Sequence, residues 1–128
     1  MVRLIKFCLI GLVGMGIDMG LLFLFRHFGL FQASVICAKL VAAEIALINN
    51  FIWNDIWTFR DNRTGGLFAR FLRFNLFCGG GLILGTSILW FEVNHFGWNV
   101  YVANFIAICI TTSWNFAMNR RFNWPDRH

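Results

Sequence analysis

The sequence has few charged residues for a chain of its length. Only 13% of its 128 residues are Asp, Glu, Lys or Arg, whereas 59% are hydrophobic, and soluble domains carry about a quarter charged residues. This composition excludes an ordinary soluble domain, although the length fits a single domain. The net charge of +5 would suggest nucleic acid in a soluble protein, but in a chain this apolar we expect no nucleic-acid partner.

Three kinds of site motif are also missing. The four cysteines, Cys8, Cys37, Cys78 and Cys109, lie far apart, with no Cys-x-x-Cys and no histidines at ligand spacing, so we expect no metal and no redox site. No Gly-x-x-x-x-Gly-Lys-Ser/Thr occurs, so no nucleotide phosphate loop is present. No nucleophile, base and oxyanion donors cluster at either end of the spans, so we predict that the chain is not an enzyme and binds no cofactor.

Four long apolar stretches fill most of the chain. They are residues 5–25, 34–53, 74–91 and 100–118, and each has the length, about 18 residues or more, that crosses a bilayer as a helix. No small-residue cleavage site follows the first stretch, so we interpret it as a retained span rather than a removed signal peptide. The sequence therefore predicts an all-α membrane protein with four transmembrane helices.

Basic residues concentrate at one end of these spans, and only Arg26 lies at the other. They are Arg3, Lys6, Arg60, Arg63, Arg70, Arg73, Arg120, Arg121 and Arg127. By the positive-inside rule, both termini and the middle loop are cytoplasmic, with short outer turns near residues 27–32 and 92–99. Trp53, Trp57 and Trp124 then mark the inner interface, and Arg70 and Arg73 are expected to reach lipid phosphates.

Sequence markers recur at a nearly constant offset. The Asn-Phe-x-x-Asn pattern of residues 50–54 returns at 115–119, the basic-Phe pair of 6–7 at 73–74, and His-Phe-Gly of 27–29 at 95–97. We interpret the chain as one transmembrane domain built from two parallel helical hairpins, residues 1–62 and 67–128. Gly16/Gly20 and Gly81/Gly85 are small-xxx-small pairs, which predict close approach of the helices.

The end of the fourth span carries the strongest candidate site. Arg120 and Arg121 are adjacent and are framed by Phe122 and Trp124, and a guanidinium group can hold a phosphate through two parallel hydrogen bonds. We predict a lipid phosphate there, with ordinary positive-inside arginines as the alternative. Four amides on the same helix faces can hydrogen-bond a sugar or phosphate, or else hold helices together: Asn50, Asn54, Asn115 and Asn119.

Three ionisable residues lie inside the first hairpin, where each charge costs about 2.5–3.5 kcal/mol. Asp18 and Lys39 lie at similar depths, so an ion pair between them is geometrically allowed, either as a structural contact or as part of a polar pathway. Glu44 lies about 140° around the helix from Lys39 and is the better candidate for a proton carrier. At the positions that correspond to Lys39 and Glu44, the second hairpin has Asn104 and Cys109.

Together these motifs resemble the GtrA-like family of small four-span bacterial membrane proteins. The resemblance rests on Lys6-Phe7, on Asp18 in a glycine-rich first span, and on the segments 50–59 and 115–122. It implies a flippase that moves a polyprenyl-phosphate-linked sugar to the outer leaflet of the bacterial inner membrane, for glycosylation of O-antigen or another surface polysaccharide. A membrane glycosyltransferase is the implied pathway partner. Relatives often carry basic residues where this chain has Asp55-Ile56, so the phosphate role falls to the arginine pair.

Two other functions fit the sequence. A small multidrug-type homodimeric exporter of lipophilic cations would depend on Glu44 but not on Arg120 and Arg121. A scaffold that holds the glycosyltransferase at the membrane would not transport anything. Because four helices are few for enclosing a polar headgroup, we expect a homodimer.

Overall fold

The computed structural model describes residues 1–30 and 34–126. Within these residues it contains four α-helices and no strand: α1 (Val2–His27), α2 (Val35–Trp53), α3 (Leu67–Phe96) and α4 (Val100–Met118). All four are long and apolar enough to cross a bilayer, which confirms the predicted all-α, four-span fold. Gln32 in the first predicted outer turn and Arg127 in the basic cluster lie outside the described residues.

Helix boundaries follow from local chemistry. Ser34 and Asn99 begin α2 and α4 as N-caps, because their side-chain oxygens accept hydrogen bonds from backbone N–H groups of the first turn. The two His-Phe-Gly segments both lie at the end of a helix, α1 and α3, and their glycines, Gly29 and Gly97, have φ of 68° and 63°. Glycine adopts this left-handed conformation without steric cost, and it ends the helix there. Helix α3 begins earlier than the apolar pattern predicts, since arginine is a good helix former.

The chain forms two compact units, Met1–Arg60 and Asp61–His128. In the first unit α1 packs against α2, and in the second α3 packs against α4. Each unit is therefore a helical hairpin held by its own contacts. The hairpin limits expected from the sequence, residues 1–62 and 67–128, stay a prediction.

The same aromatic contact closes each hairpin. Phe7 meets Phe59 edge to face with ring centroids 6.5 Å apart, and Phe74 meets Trp124 in the same way at 6.1 Å. Trp124 is fully buried, with 0% exposure, so its predicted role as an interface marker is wrong. Edge-to-face aromatic pairs contribute about 0.5–1.5 kcal/mol beyond the area they bury. The repeat in sequence thus corresponds to a repeat in packing.

One glycine in each hairpin accommodates an asparagine side chain. A Cβ atom on Gly14 would overlap the amide of Asn50, and a Cβ atom on Gly81 would overlap that of Asn115. The predicted small-xxx-small pair of the first span is wrong, because neither of its members has any atom within 4 Å of an added Cβ among the described residues. Close approach in the first hairpin therefore depends on Gly14.

Candidate functional site

Helices α2 and α4 each end in a wide π-helical turn, Asn54–Thr58 and Asn119–Asn123. In each turn the first asparagine carbonyl accepts a hydrogen bond from the backbone N–H five residues later, at 2.8 Å. The Nδ2 atom of that asparagine also donates to the carbonyl four residues earlier, at 2.8 Å in both turns. Asparagine readily makes such local bonds. Single π turns are frequent at functional sites.

A network of buried amides fixes the second π turn to α3. The Asn123 Nδ2 atom donates to the Arg70 carbonyl at 2.9 Å and to Asn119 Oδ1 at 3.1 Å. The Asn123 Oδ1 atom accepts from Arg73 Nε at 3.2 Å. Both asparagines are fully buried, and buried amides with satisfied hydrogen bonds make a structure rigid. The turn that carries Arg120 and Arg121 is therefore held against α3 by these hydrogen bonds.

Arg120 and Arg121 lie on the rim of one open depression of about 510 Å³, which Phe116, Ala117, Pro125 and Asp126 also line. Arg120 donates from Nε and Nη2 to Asp126 Oδ2 at 3.2 and 2.9 Å. The structure thus brings the two predicted phosphate ligands to one surface. It also adds an acidic residue beside them.

Arg121 makes a different contact. Its Cζ atom lies 5.6 Å from the ring centroid of Phe122, and its side chain is exposed. A guanidinium group near an aromatic ring keeps its N–H donors available in the plane of the group.

The segment after the π turn is tied to the segment before α3. The Nδ2 atom of buried Asn62 donates to Asp126 Oδ1 at 2.8 Å, and it also lies 3.4 and 3.2 Å from the carbonyl oxygens of Trp124 and Pro125. Asp126 therefore has a fixed position beside the arginines. Sequence reasoning missed both Asn62 and Asp126, although an acid so close to an arginine pair was a usable signal.

Arg70 and Arg73 both form hydrogen bonds inside the second hairpin. Arg70 is only 6% exposed, and its Nη1 atom donates to the carbonyl oxygens of Gly65 and Thr64 at 2.7 and 3.4 Å. Arg73 donates to the Asn123 side chain, and the Arg70 carbonyl accepts from it. Both arginines therefore stabilise the base of the second π turn. The expectation that Arg70 reaches lipid phosphates is wrong, because its guanidinium group is used inside the hairpin.

The first π turn has the same backbone but a different surface. Asp55 occupies the position of Arg120 and is buried, and exposed Ile56 replaces Arg121. The Lys6 ammonium group lies 4.9 Å from the ring centroid of Trp57. The first unit therefore lacks a surface pair of guanidinium groups on its π turn.

The four asparagines that were predicted to contact the substrate point into the hairpins. Asn54 and Asn119 are 2% and 0% exposed and bond backbone carbonyls, so a ligand reaches them only if the turn opens. Asn50 and Asn115 lie against the glycines described above, and their Oδ1 atoms are buried without a hydrogen-bond partner in the described part of the chain. Contact of these amides with a sugar or phosphate stays a prediction.

Inside the first hairpin, Asp18 and Lys39 form the ion pair that the sequence predicted as geometrically allowed. Glu44 is exposed on the surface of this unit and lies outside the pair. At the positions that correspond to Asp18 and Lys39, the second hairpin has Gly85 and Asn104, which line a groove of about 200 Å³. A polar pathway or proton transfer through Asp18, Lys39 and Glu44 stays a prediction.

The site chemistry suits an anion better than a metal. Across residues 1–30 and 34–126, no three His, Cys, Asp or Glu residues lie close enough to hold a metal ion. The depression instead combines two guanidinium groups with one carboxylate and an apolar wall. Such an arrangement can bind a phosphate group while an attached hydrocarbon remains in lipid.

Comparison with known proteins identifies the family. A family model described as GtrA/DPMS, transmembrane domain, matches residues 6–124. The chain is also 33% identical over 122 residues to a dolichol-phosphate mannosyltransferase of Pyrococcus furiosus, and the match covers 95% of this chain but 34% of that protein. The chain thus spans about a third of the length of this relative. It is a multi-pass membrane protein that belongs to the GtrA/DPMS transmembrane-domain family, which is linked to the handling of polyprenyl-phosphate sugars.

Proposed function

We propose that this chain is a flippase that moves a polyprenyl-phosphate-linked sugar from the cytoplasmic to the outer leaflet without catalysing sugar transfer. The observation that carries the proposal is the pair of guanidinium groups of Arg120 and Arg121 on the rim of one open depression. This depression lies where an apolar span ends. A lipid phosphate and its sugar would enter there, and the polyprenyl tail would stay in the bilayer.

The donors of the two arginines suit a phosphate. Arg120 uses two of its five N–H donors on Asp126. Within the described residues, Arg121 makes no hydrogen bond, and its guanidinium group lies near the Phe122 ring. Several donors of both side chains are therefore available to phosphate oxygens. The volume of about 510 Å³ lies within the range of about 300–1,000 Å³ that is usual for small-molecule sites.

The distribution of charge supports a cytoplasmic position for the depression. The basic residues concentrate at the end of the spans that carries the π turns, and cytoplasmic segments are enriched in Lys and Arg. In this proposal the depression opens to the cytoplasm of a bacterium, where a membrane glycosyltransferase of the same pathway loads the carrier lipid. Asp18, Lys39 and Glu44 would line the deeper part of the pathway, with Glu44 as the proton carrier.

The test measures flipping of a polyprenyl-phosphate-linked sugar in proteoliposomes that contain only the purified protein. Replacing Arg120 and Arg121 with alanine should slow flipping by at least about tenfold, since hydrogen bonds to charged groups contribute about 1.5–3 kcal/mol each. Replacing both with lysine should give an intermediate rate, because lysine keeps the charge but not the bidentate geometry.

The matched control removes the same charge elsewhere. Arg60 and Arg63 lie in the segment between α2 and α3 and do not line the depression. The double alanine variant at these positions should flip the lipid at close to the wild-type rate. Wild-type flipping by the Arg120→Ala, Arg121→Ala protein would contradict the assigned phosphate site.

A membrane scaffold for a glycosyltransferase is the second candidate function. It is favoured by the relative from Pyrococcus furiosus, in which the matched region is 34% of a protein named as a mannosyltransferase. In a scaffold, this domain would hold an enzyme at the membrane and would not move the lipid. Flipping by the purified protein without any transferase would contradict the scaffold function.

A further inference from the structure

We propose that Asp126 tunes the phosphate site to the charge of its ligand. Its carboxylate would weaken the binding of the more highly charged phosphate of the empty carrier more than that of the singly charged phosphodiester of a sugar-loaded carrier. This inference rests on the proposed function, because it assumes that Arg120 and Arg121 bind the phosphate.

The Asp126 carboxylate is held on both of its oxygen atoms. Its Oδ2 atom accepts from Arg120 Nε and Nη2 at 3.2 and 2.9 Å, and its Oδ1 atom accepts from Asn62 Nδ2 at 2.8 Å. The Asn62 side chain is buried, whereas the Asp126 side chain keeps 34% exposure and lines the same depression as the arginines. The carboxylate is therefore a fixed part of the wall that a phosphate would meet.

Among the described residues that line the depression, three carry a charge. Arg120 and Arg121 contribute two positive charges, and Asp126 contributes one negative charge. A phosphodiester carries one negative charge at neutral pH, whereas a phosphate monoester carries about 1.5 to 2 because its second pKa is about 6. The additional charge of a monoester meets the carboxylate at short range, so Asp126 weakens the binding of a monoester more than that of a diester.

Selectivity for the charge of the headgroup would separate loaded carrier from empty carrier. Attachment of a sugar to the lipid phosphate converts a monoester into a diester, so the charge of the headgroup reports whether the carrier is loaded. A carboxylate in the site would reduce the competition of empty carrier with loaded carrier for binding. No contact with a particular sugar is required for this discrimination.

The experiment compares two short, soluble probes with the full chain in detergent micelles. The probes are farnesyl phosphate, a monoester, and glucosyl farnesyl phosphate, a diester, and binding is followed by intrinsic tryptophan fluorescence. The ratio of the two dissociation constants is measured for the wild-type protein and for each variant. In Asp126→Asn the affinity for the monoester should rise relative to the diester by at least about threefold, since one nearby negative charge is removed.

Two control variants separate charge from structure. Asp126→Glu keeps the charge and should keep the wild-type ratio of the two dissociation constants. Asp61→Asn removes a negative charge at the residue that corresponds to Asp126 in the first repeat. Because Asp61 does not line the depression, its replacement should leave the ratio at the wild-type value.

The outcomes distinguish the inference from the proposed function. If the double alanine variant of Arg120 and Arg121 binds both probes as well as the wild type, the proposed phosphate site fails. If that variant loses binding but Asp126→Asn keeps the wild-type ratio, the inference fails and the phosphate site stands. Should Asp126→Asn not fold, Asp126→Ser removes the same charge, and a wild-type ratio in that variant would overturn the inference.

Discussion

Alanine substitutions along the Gly79–Gly81 triplet should show how closely α3 and α4 pack. A Cβ atom on Gly81 would overlap Asn115 Oδ1, and it would lie 3.0 Å from Asn115 Cγ and 3.2 Å from Trp114 Cδ1. On Gly80 the nearest atom would be Trp114 Nε1 at an ordinary 3.7 Å, and on Gly79 no atom of the described residues lies within 4 Å. Three consecutive glycines thus have three different environments.

The expected magnitudes follow from two opposing effects. Replacing glycine with alanine inside a helix stabilises it by about 0.5–1 kcal/mol, and this gain applies equally to all three positions. Overpacking costs about 1–3 kcal/mol, and it applies only at Gly81. We therefore expect Gly79→Ala and Gly80→Ala to be neutral or stabilising. Gly81→Ala should be less stable than Gly79→Ala by about 1–3 kcal/mol, a difference in which the propensity gain cancels.

Stability can be measured by reversible unfolding in mixed micelles of mild detergent and SDS, followed by far-UV circular dichroism. The first hairpin offers an internal replicate, since a Cβ atom on Gly14 would overlap Asn50, whereas a Cβ atom on Gly11 would have no neighbouring atom of the described residues within 4 Å. Gly14→Ala should therefore be less stable than Gly11→Ala. Equal stability of Gly81→Ala and Gly79→Ala would refute the packing of Asn115 into the space beside Gly81.

Three further predictions concern the ion pair, the aromatic contact and the exposed acid. Asp18→Asn should destabilise the protein in the same unfolding assay because it leaves the Lys39 charge unpaired, and adding Lys39→Met should restore most of the loss. Trp124→Ala should cost about 3–5 kcal/mol, whereas Trp98→Ala, at a half-exposed position, should cost far less; equal losses would contradict the buried position of Trp124. Glu44→Gln should leave unfolding unchanged because the side chain is exposed, and it should slow flipping driven by a pH gradient in proteoliposomes. Resistance to lipophilic cations that depends on Glu44 and not on the arginine pair would instead indicate an exporter.

The sequence was enough to predict the features that depend on local composition. Span length and hydrophobicity determine where a chain crosses a bilayer, so the four helices were predictable, and Val100–Met118 has the predicted limits. The Asp18–Lys39 pair was predictable because few charges exist at that depth and each needs a partner. Arg120 and Arg121 were predictable as neighbours because they are adjacent in the chain.

Only the tertiary structure decided which face of each helix points into its hairpin. In a soluble helix the apolar stripe marks the buried face, but a membrane helix is apolar all round, since lipid is as apolar as a core. The sequence therefore could not show that Gly14 is the point of close approach, that Trp124 is buried or that Arg70 bonds backbone carbonyls. The place of Asp126 beside Arg120 also required the structure, because it depends on a bend in the chain that Asn62 holds from more than sixty residues away.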